Sequence, residues 1–210
     1  MGGSLPAGER APRRRAPRRP FEIVAIAASA GGLTALSSVL GGLPRSFGAG
    51  IVAVQHLDPR HRSLMAEIIG RRSPLPVHQA VAGSHVQTGH VYLAPPDNHL
   101  LINRDGSISL THTELVNFVR PSADLLFESV AASFGPHAIA VVLTGSGRDG
   151  AMGVTAIKQR GGTVIAQDEA SSEFFAMPSA AIRTGVVDFV LPVDEIPAAL
   201  MTLLGGETLD

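Results

Sequence analysis

Three short stretches of this chain end in residue types that together can transfer an acyl group. Ser29 follows the apolar, β-prone run Phe21-Glu-Ile-Val-Ala-Ile-Ala-Ala28 and precedes Ala30-Gly31-Gly32. His56 closes a second apolar run, Gly50-Ile-Val-Ala-Val-Gln55. Asp149 sits in a glycine-rich turn, Thr144-Gly-Ser-Gly-Arg-Asp-Gly150, after a third. A hydroxyl becomes a nucleophile when a neutral imidazole takes its proton and a carboxylate fixes the imidazole tautomer. Residues 27–31 also have the outline of a nucleophile elbow, with Ala27 in place of the first glycine; small neighbours there leave a serine hydroxyl exposed. Each residue has a plainer reading: Ser29 as a helix N-cap, His56 as a bonded structural histidine, Asp149 as a turn or cap residue. Their conjunction at three strand ends favours chemistry, because open α/β sheets bind ligands at the carboxyl ends of their strands.

A rival pattern shares the third stretch. Gly145-Ser-Gly-Arg-Asp-Gly150 reads G-x-G-x-x-G between a strand and a helix, and Asp168 lies 18 residues past Gly150. That is the spacing of a dinucleotide-binding fingerprint. Its late position in the chain and the carboxylate it would set beside a pyrophosphate count against it. Local pattern alone leaves it open.

The elements needed to position these residues follow from periodicity. A helical face (Leu33, Leu36, Val39, Leu40) ends at Gly41-Gly42, and a helix over 61–72 stops before Pro74. A strand is expected over 76–81. Between 83 and 111 short strands at 90–94, 100–103 and 107–110 are split by Pro95-Pro96 and by the hairpin signal Asp105-Gly106, predicting an inserted antiparallel β-meander. Alternation then returns: helix 121–134, strand 138–144, helix 150–160, strand 163–167, helix 178–184, strand 186–191, helix 194–204. The fold class expected is α/β, a doubly wound, mostly parallel sheet with helices on both faces.

Composition sets bounds. The chain has 210 residues, 45% of them apolar, enough for one domain with a large core. There is no cysteine, which excludes a thiol nucleophile and a disulfide framework and suits a cytoplasmic location. No apolar run reaches the roughly 18 residues of a membrane-spanning helix, so no membrane insertion is expected. His56 with His61, and His85 with His90, lack a third ligand in a recognised metal motif, so no metal is expected. Residues 1–20 carry six arginines against one acid, Glu9, in a Pro- and Gly-rich setting. They read as a disordered tail ahead of a domain over 21–204, with 205–210 as a short C-terminal tail. Setting those arginines and Glu9 aside leaves 11 of the 17 basic and 17 of the 18 acidic side chains, about −6 in charge. Nucleic acid is not an expected partner.

The motifs in order resemble the catalytic domain of the chemotaxis protein-glutamate methylesterases (CheB-type) over about residues 22–201. The landmarks are Ala28-Ser29-Ala30-Gly31-Gly32, Gln55-His56, Gly89-His-Val-Tyr-Leu-Ala-Pro95, Asn98-His99, Arg120-Pro-Ser-Ala-Asp124, Leu143-Thr-Gly-Ser-Gly-Arg-Asp-Gly150, Ala166-Gln-Asp168 and Met177-Pro178. The resemblance implies no nucleotide cofactor. By position it makes Ser29 the nucleophile, His56 the base and Asp149 the acid that orients it. Backbone N–H groups of Gly145, Ser146 and Gly147, with one near Ala30, would hold the oxyanion. His99 and Arg120 would either line the crevice or serve the structure, and Met177-Pro178 would pack. The substrate implied is a glutamate γ-methyl ester on the cytoplasmic domain of methyl-accepting chemotaxis receptors, with receptor glutamine as a second substrate for some members. Two positions depart from the family pattern: Ala30 stands where threonine is usual and Ser146 where methionine is usual. The expected chain is an esterase domain without the receiver domain family members usually carry, so a separate regulator enters as a partner. The competing expectation is a catalytically weak or silent binding module in a chemosensory-like pathway.

Overall fold

The computed structural model of the chain describes residues 22–56 and 63–205. The expected tail over 1–20, the first two residues of the expected 61–72 helix and nearly all of the C-terminal tail lie outside them.

The strands are β1 (Ile23–Ala28), β2 (Gly50–Gln55), β3 (Val77–Gln79), β4 (Val91–Leu93), β5 (His99–Ile102), β6 (Ile108–Thr111), β7 (Ala138–Val142), β8 (Thr163–Gln167) and β9 (Phe189–Leu191). The helices are α1 (Gly32–Gly41), α2 (Met65–Gly70), α3 (Ala123–Phe134), α4 (Ala151–Gln159), α5 (Ala176–Ile182) and α6 (Ile196–Leu203). Seven strands form one sheet in the order β3-β4-β2-β1-β7-β8-β9, and every pairing in it is parallel.

The runs of Val, Ile and Ala in β1, β2 and β7 are buried along their whole length, as a parallel sheet covered on both faces requires. Alternate residues serve opposite layers. Ile23, Ala25 and Ala27 join Leu126, Phe127 and Val130 of α3, Val154 and Ile157 of α4, and Met177 of α5. Val24, Ile26 and Ala28 join Leu36, Val39 and Leu40 of α1, Ile69 of α2, and Ile196 and Leu200 of α6. The expected doubly wound α/β architecture is therefore present. The chain winds to one side of β1 first and to the other from β7 on, so the order reverses between β1 and β7.

The insertion differs from expectation. The strand predicted at 90–94 is β4, which joins the main sheet in parallel between β2 and β3. β5 and β6 form a separate antiparallel pair, to which the segment at 83–86 adds an antiparallel bridge (His85 with Ser107), so the antiparallel insertion is present but without β4. The strand reading itself was right. The pairing was not legible, because the partner of β4 lies some 40 residues earlier in the chain.

Candidate active site

Register brings the strand ends together. Ala28 pairs with Gln55 across β1 and β2, which sets Ser29 and His56 just past paired residues on neighbouring strands. The His56 N–H donates to the Ala28 carbonyl (3.2 Å), and the Ser29 N–H donates to the Thr144 carbonyl after β7 (3.0 Å). Gln55 clamps the junction from within: its Nε2 donates to the carbonyls of Ser29 (2.7 Å) and His56 (3.1 Å). Its Oε1 is buried without a partner, and a Cβ added to Gly32 would lie 1.9 Å from it. Only glycine fits there.

The third strand end is packed as tightly. A Cβ on Gly145 would fall 2.2 Å from Met177 Sδ and 2.8 Å from Ser29 Cβ. The Thr144 hydroxyl accepts from the Phe174 N–H (2.8 Å) and donates to the Ala30 carbonyl (3.0 Å). Buried Gln167 accepts the Thr144 N–H (2.7 Å) and donates to Ser171 (2.8 Å). The turn after β7 is thus tied both to the serine loop and to the segment after β8.

Asp149 leaves that turn for the interior. One carboxylate oxygen meets His56 Nε2 at 2.9 Å and accepts the Ala123 N–H at 2.6 Å. The other accepts from the Ser122 hydroxyl (3.0 Å) and the Asp124 N–H (3.2 Å). These donors are the N-cap and first turn of α3, where free amides and the helix dipole favour an anion. Burial alone would push the Asp149 carboxyl up. Hydrogen bonds from His56 and from the Ala123 amide outweigh it, and the carboxyl lies below its ordinary value. An ionised carboxylate only accepts, so His56 Nε2 carries the proton and Nδ1 is the nitrogen free to accept one. Asp124, next to it, shifts the other way: burial pushes it up, and the Asp149 charge adds to that.

The cavity beside this pair holds about 150 Å³ and is lined by His56, Asn117, Phe118, Val119, Ser146, Gly147, Arg148 and Asp149. Ser146 and Gly147 belong to the turn that forms part of its wall. The Gly145 N–H is spent on the Phe174 carbonyl (2.8 Å), so of the three amides expected there Ser146 and Gly147 keep theirs unpaired among the described residues. Ala30 likewise keeps an unpaired N–H. A larger cavity of about 530 Å³, lined by Glu22, Gly50, Val86 and Arg104 among others, lies at the opposite, amino-terminal ends of β1 and β2, away from Ser29, His56 and Asp149.

His99 and Arg120 stand apart from that cavity. His99 is fully buried: its Nε2 donates to the Glu114 carbonyl (3.0 Å) and its Nδ1 accepts the Ser122 N–H (3.1 Å), which supports the segment that holds Asp149. Arg120 donates to Asp97 through Nε (2.8 Å) and Nη2 (2.6 Å). The glycines of the would-be dinucleotide fingerprint are used otherwise: Gly145 for close packing, Gly147 and Gly150 at φ 92° and 98° to turn Asp149 inward. Gln55, Ser122, Thr144 and Gln167 were not singled out as site residues in the sequence, although all four lie inside the motifs quoted for the resemblance.

The CheB methylesterase family model matches residues 24–200, almost the whole described body. The chain belongs to the CheB methylesterase family. It is 42% identical over 194 residues to a protein-glutamate methylesterase/protein-glutamine glutaminase of Moorella thermoacetica, covering 90% of this chain and 46% of that protein. It is 42% identical to the protein-glutamate methylesterase FrzG of Myxococcus xanthus, covering 91% of this chain and 57% of that one. The chain thus spans about half the length of these curated relatives. A putative member from Leptospira interrogans is 38% identical and is covered over 95% of its length. Among solved structures, the CheB methylesterase catalytic domain of Thermotoga maritima superposes with a TM-score of 0.84 at 38% identity, covering 87% of this chain and 98% of that one.

Proposed function

We propose that this chain is a serine esterase that hydrolyses glutamate γ-methyl esters on the cytoplasmic domains of methyl-accepting chemotaxis receptors, giving glutamate and methanol, and that it deamidates receptor glutamine by the same route. The observation that carries this is the His56–Asp149 pair at 2.9 Å, beside a serine on the neighbouring strand end. The names of the relatives supply the substrate class. No helix among the described residues is long and apolar enough to cross a membrane.

His56 Nδ1 takes the Ser29 proton as Oγ attacks the ester carbonyl, and Asp149 stabilises the imidazolium that forms. The N–H groups of Ser146 and Gly147, with that of Ala30, receive the oxyanion; one such donor is worth about 2.7–4 kcal/mol. His56 then gives its proton to the departing methoxide, or to the amide nitrogen of a glutamine, which leaves as ammonia. Water, deprotonated by the same nitrogen, attacks the acyl-enzyme and frees Ser29. No step needs a side chain at position 30 or 146, so Ala30 and Ser146 leave the chemistry intact. The silent-module alternative is therefore the weaker reading. Incubation with a panel of methylated receptor fragments, scoring methanol release, tests the proposal.

A further inference from the structure

One wall of the crevice is built of residues the proposed chemistry does not use. Val116 and Val119 bond to each other through their backbones (3.0 and 3.2 Å) and close a hairpin over Asn117 and Phe118. Both central residues have positive φ, 51° and 65°. That is the signature of a type I′ turn, whose preferred central pair is Asn-Gly. Asn117 suits its place. Phe118 stands where glycine is expected, and a bulky residue at positive φ is an outlier. Its side chain is 94% exposed, so the ring neither packs a core nor favours the turn. It nevertheless lines the same cavity as His56 and Asp149.

The hairpin is held fast relative to the dyad. Asn117 Nδ2 donates to Asp124 Oδ2 (2.8 Å), and Asp124 Oδ1 accepts the Gly153 N–H (2.8 Å) at the start of α4. Asp124 belongs to the same first turn of α3 whose amides hold Asp149. The cavity, at about 150 Å³, has room for one side chain of the size of an esterified glutamate. A ring standing out from its rim therefore meets what flanks that side chain in a protein, and has nothing to meet in a small ester.

We propose that Phe118 is a specificity-determining residue, whose ring receives an apolar side chain of the protein substrate next to the methyl-glutamate and so seats the ester against His56. This rests on the protein-ester reading above. Backbone strain at an exposed apolar ring is the pattern expected where a functional contact, rather than folding, holds a residue in place.

The test is Phe118→Gly, which restores the preferred turn and so removes loss of fold as an explanation. The melting temperature should hold or rise. kcat/KM on a methylated receptor fragment should fall about tenfold or more, the scale of a lost apolar contact, and chiefly through KM. Hydrolysis of p-nitrophenyl acetate should stay within about twofold, and Phe118→Leu should recover most of the receptor activity. A Phe118→Gly protein as active as wild type on receptor would overturn the inference alone, as would equal losses on both substrates. A wild-type chain that hydrolyses the small ester through Ser29 yet releases no methanol from any methylated receptor would contradict the protein-ester reading and the inference with it.

Discussion

His56 meets Asp149 through Nε2, at 2.9 Å. The imidazole therefore keeps Nδ1 as the nitrogen free to accept a proton, the reverse of the arrangement in which Nδ1 faces the carboxylate. Four groups surround the Asp149 carboxylate: His56, the Ser122 hydroxyl and the amides of Ala123 and Asp124.

That surrounding has a consequence for acid stability. The folded-state pKa of Asp149 is depressed, so its contribution is fully present above the ordinary carboxylate pKa of about 3.9 and is lost as pH falls through the lower folded value. Asp149→Asn should cost about 1–3 kcal/mol at neutral pH, the scale of buried donors left without their acceptor. In urea unfolding from pH 7 to pH 3, the gap between wild type and Asp149→Asn should be level from 7 to 5 and narrow below about 4. A gap that widens on acidification would mean the carboxyl is not held ionised. The raised carboxyl of Asp124 titrates in the opposite sense, and loss of the Asp149 charge also relaxes it, so the measured gap includes both.

A Cβ on Gly145 would come within 2.8 Å of Ser29 Cβ. A methyl there meets Met177 Sδ, which can move, and Ser29 Cβ, which cannot move without taking the proposed nucleophile along. Gly145→Ala should lower the melting temperature and reduce esterase activity by at least tenfold, as small displacements of a positioned nucleophile do. Adding Met177→Ala should relieve part of the overpacking but not restore activity. Full recovery in the double variant would show that Ser29 tolerates the methyl.

In the proposed mechanism Ser146 contributes its amide, not its hydroxyl. Ser146→Ala should keep kcat within about threefold of wild type, since a main-chain donor survives the exchange. Ser146→Pro removes the N–H and should cost about 10²–10³ in kcat on a small ester, the usual cost of one oxyanion donor. Steady-state kinetics with a circular-dichroism check of folding reads both. A large loss in Ser146→Ala would move the role to the hydroxyl.

Much of this candidate site was legible because Ser29, His56 and Asp149 follow runs whose strand character is local. Val, Ile and Ala dominate β1, β2 and β7, and Ser29, His56 and Asp149 follow within a turn or a short loop. What holds them was not legible. The hydroxyl and amides that grip Asp149 come from residues 25–27 positions earlier, and the Thr144–Gln167 bond spans 23. No periodicity encodes such pairings. The parallel partner of β4 was missed for the same reason. Phe118 was passed over because the turn it sits in is set by the sign of φ, and an Asn-Phe pair carries none of the glycine signal of an Asn-Gly one.

The account turns on Ser29 as nucleophile and His56 as its base, and methanol release from a methylated receptor fragment measures that directly. Wild type should release methanol, with a rate that falls on acidification as the imidazole is protonated. Ser29→Ala and His56→Ala should each lose nearly all of it, and the double variant should be little worse than either, because the groups act as a unit. Near-native methanol release by a folded Ser29→Ala protein would contradict the account.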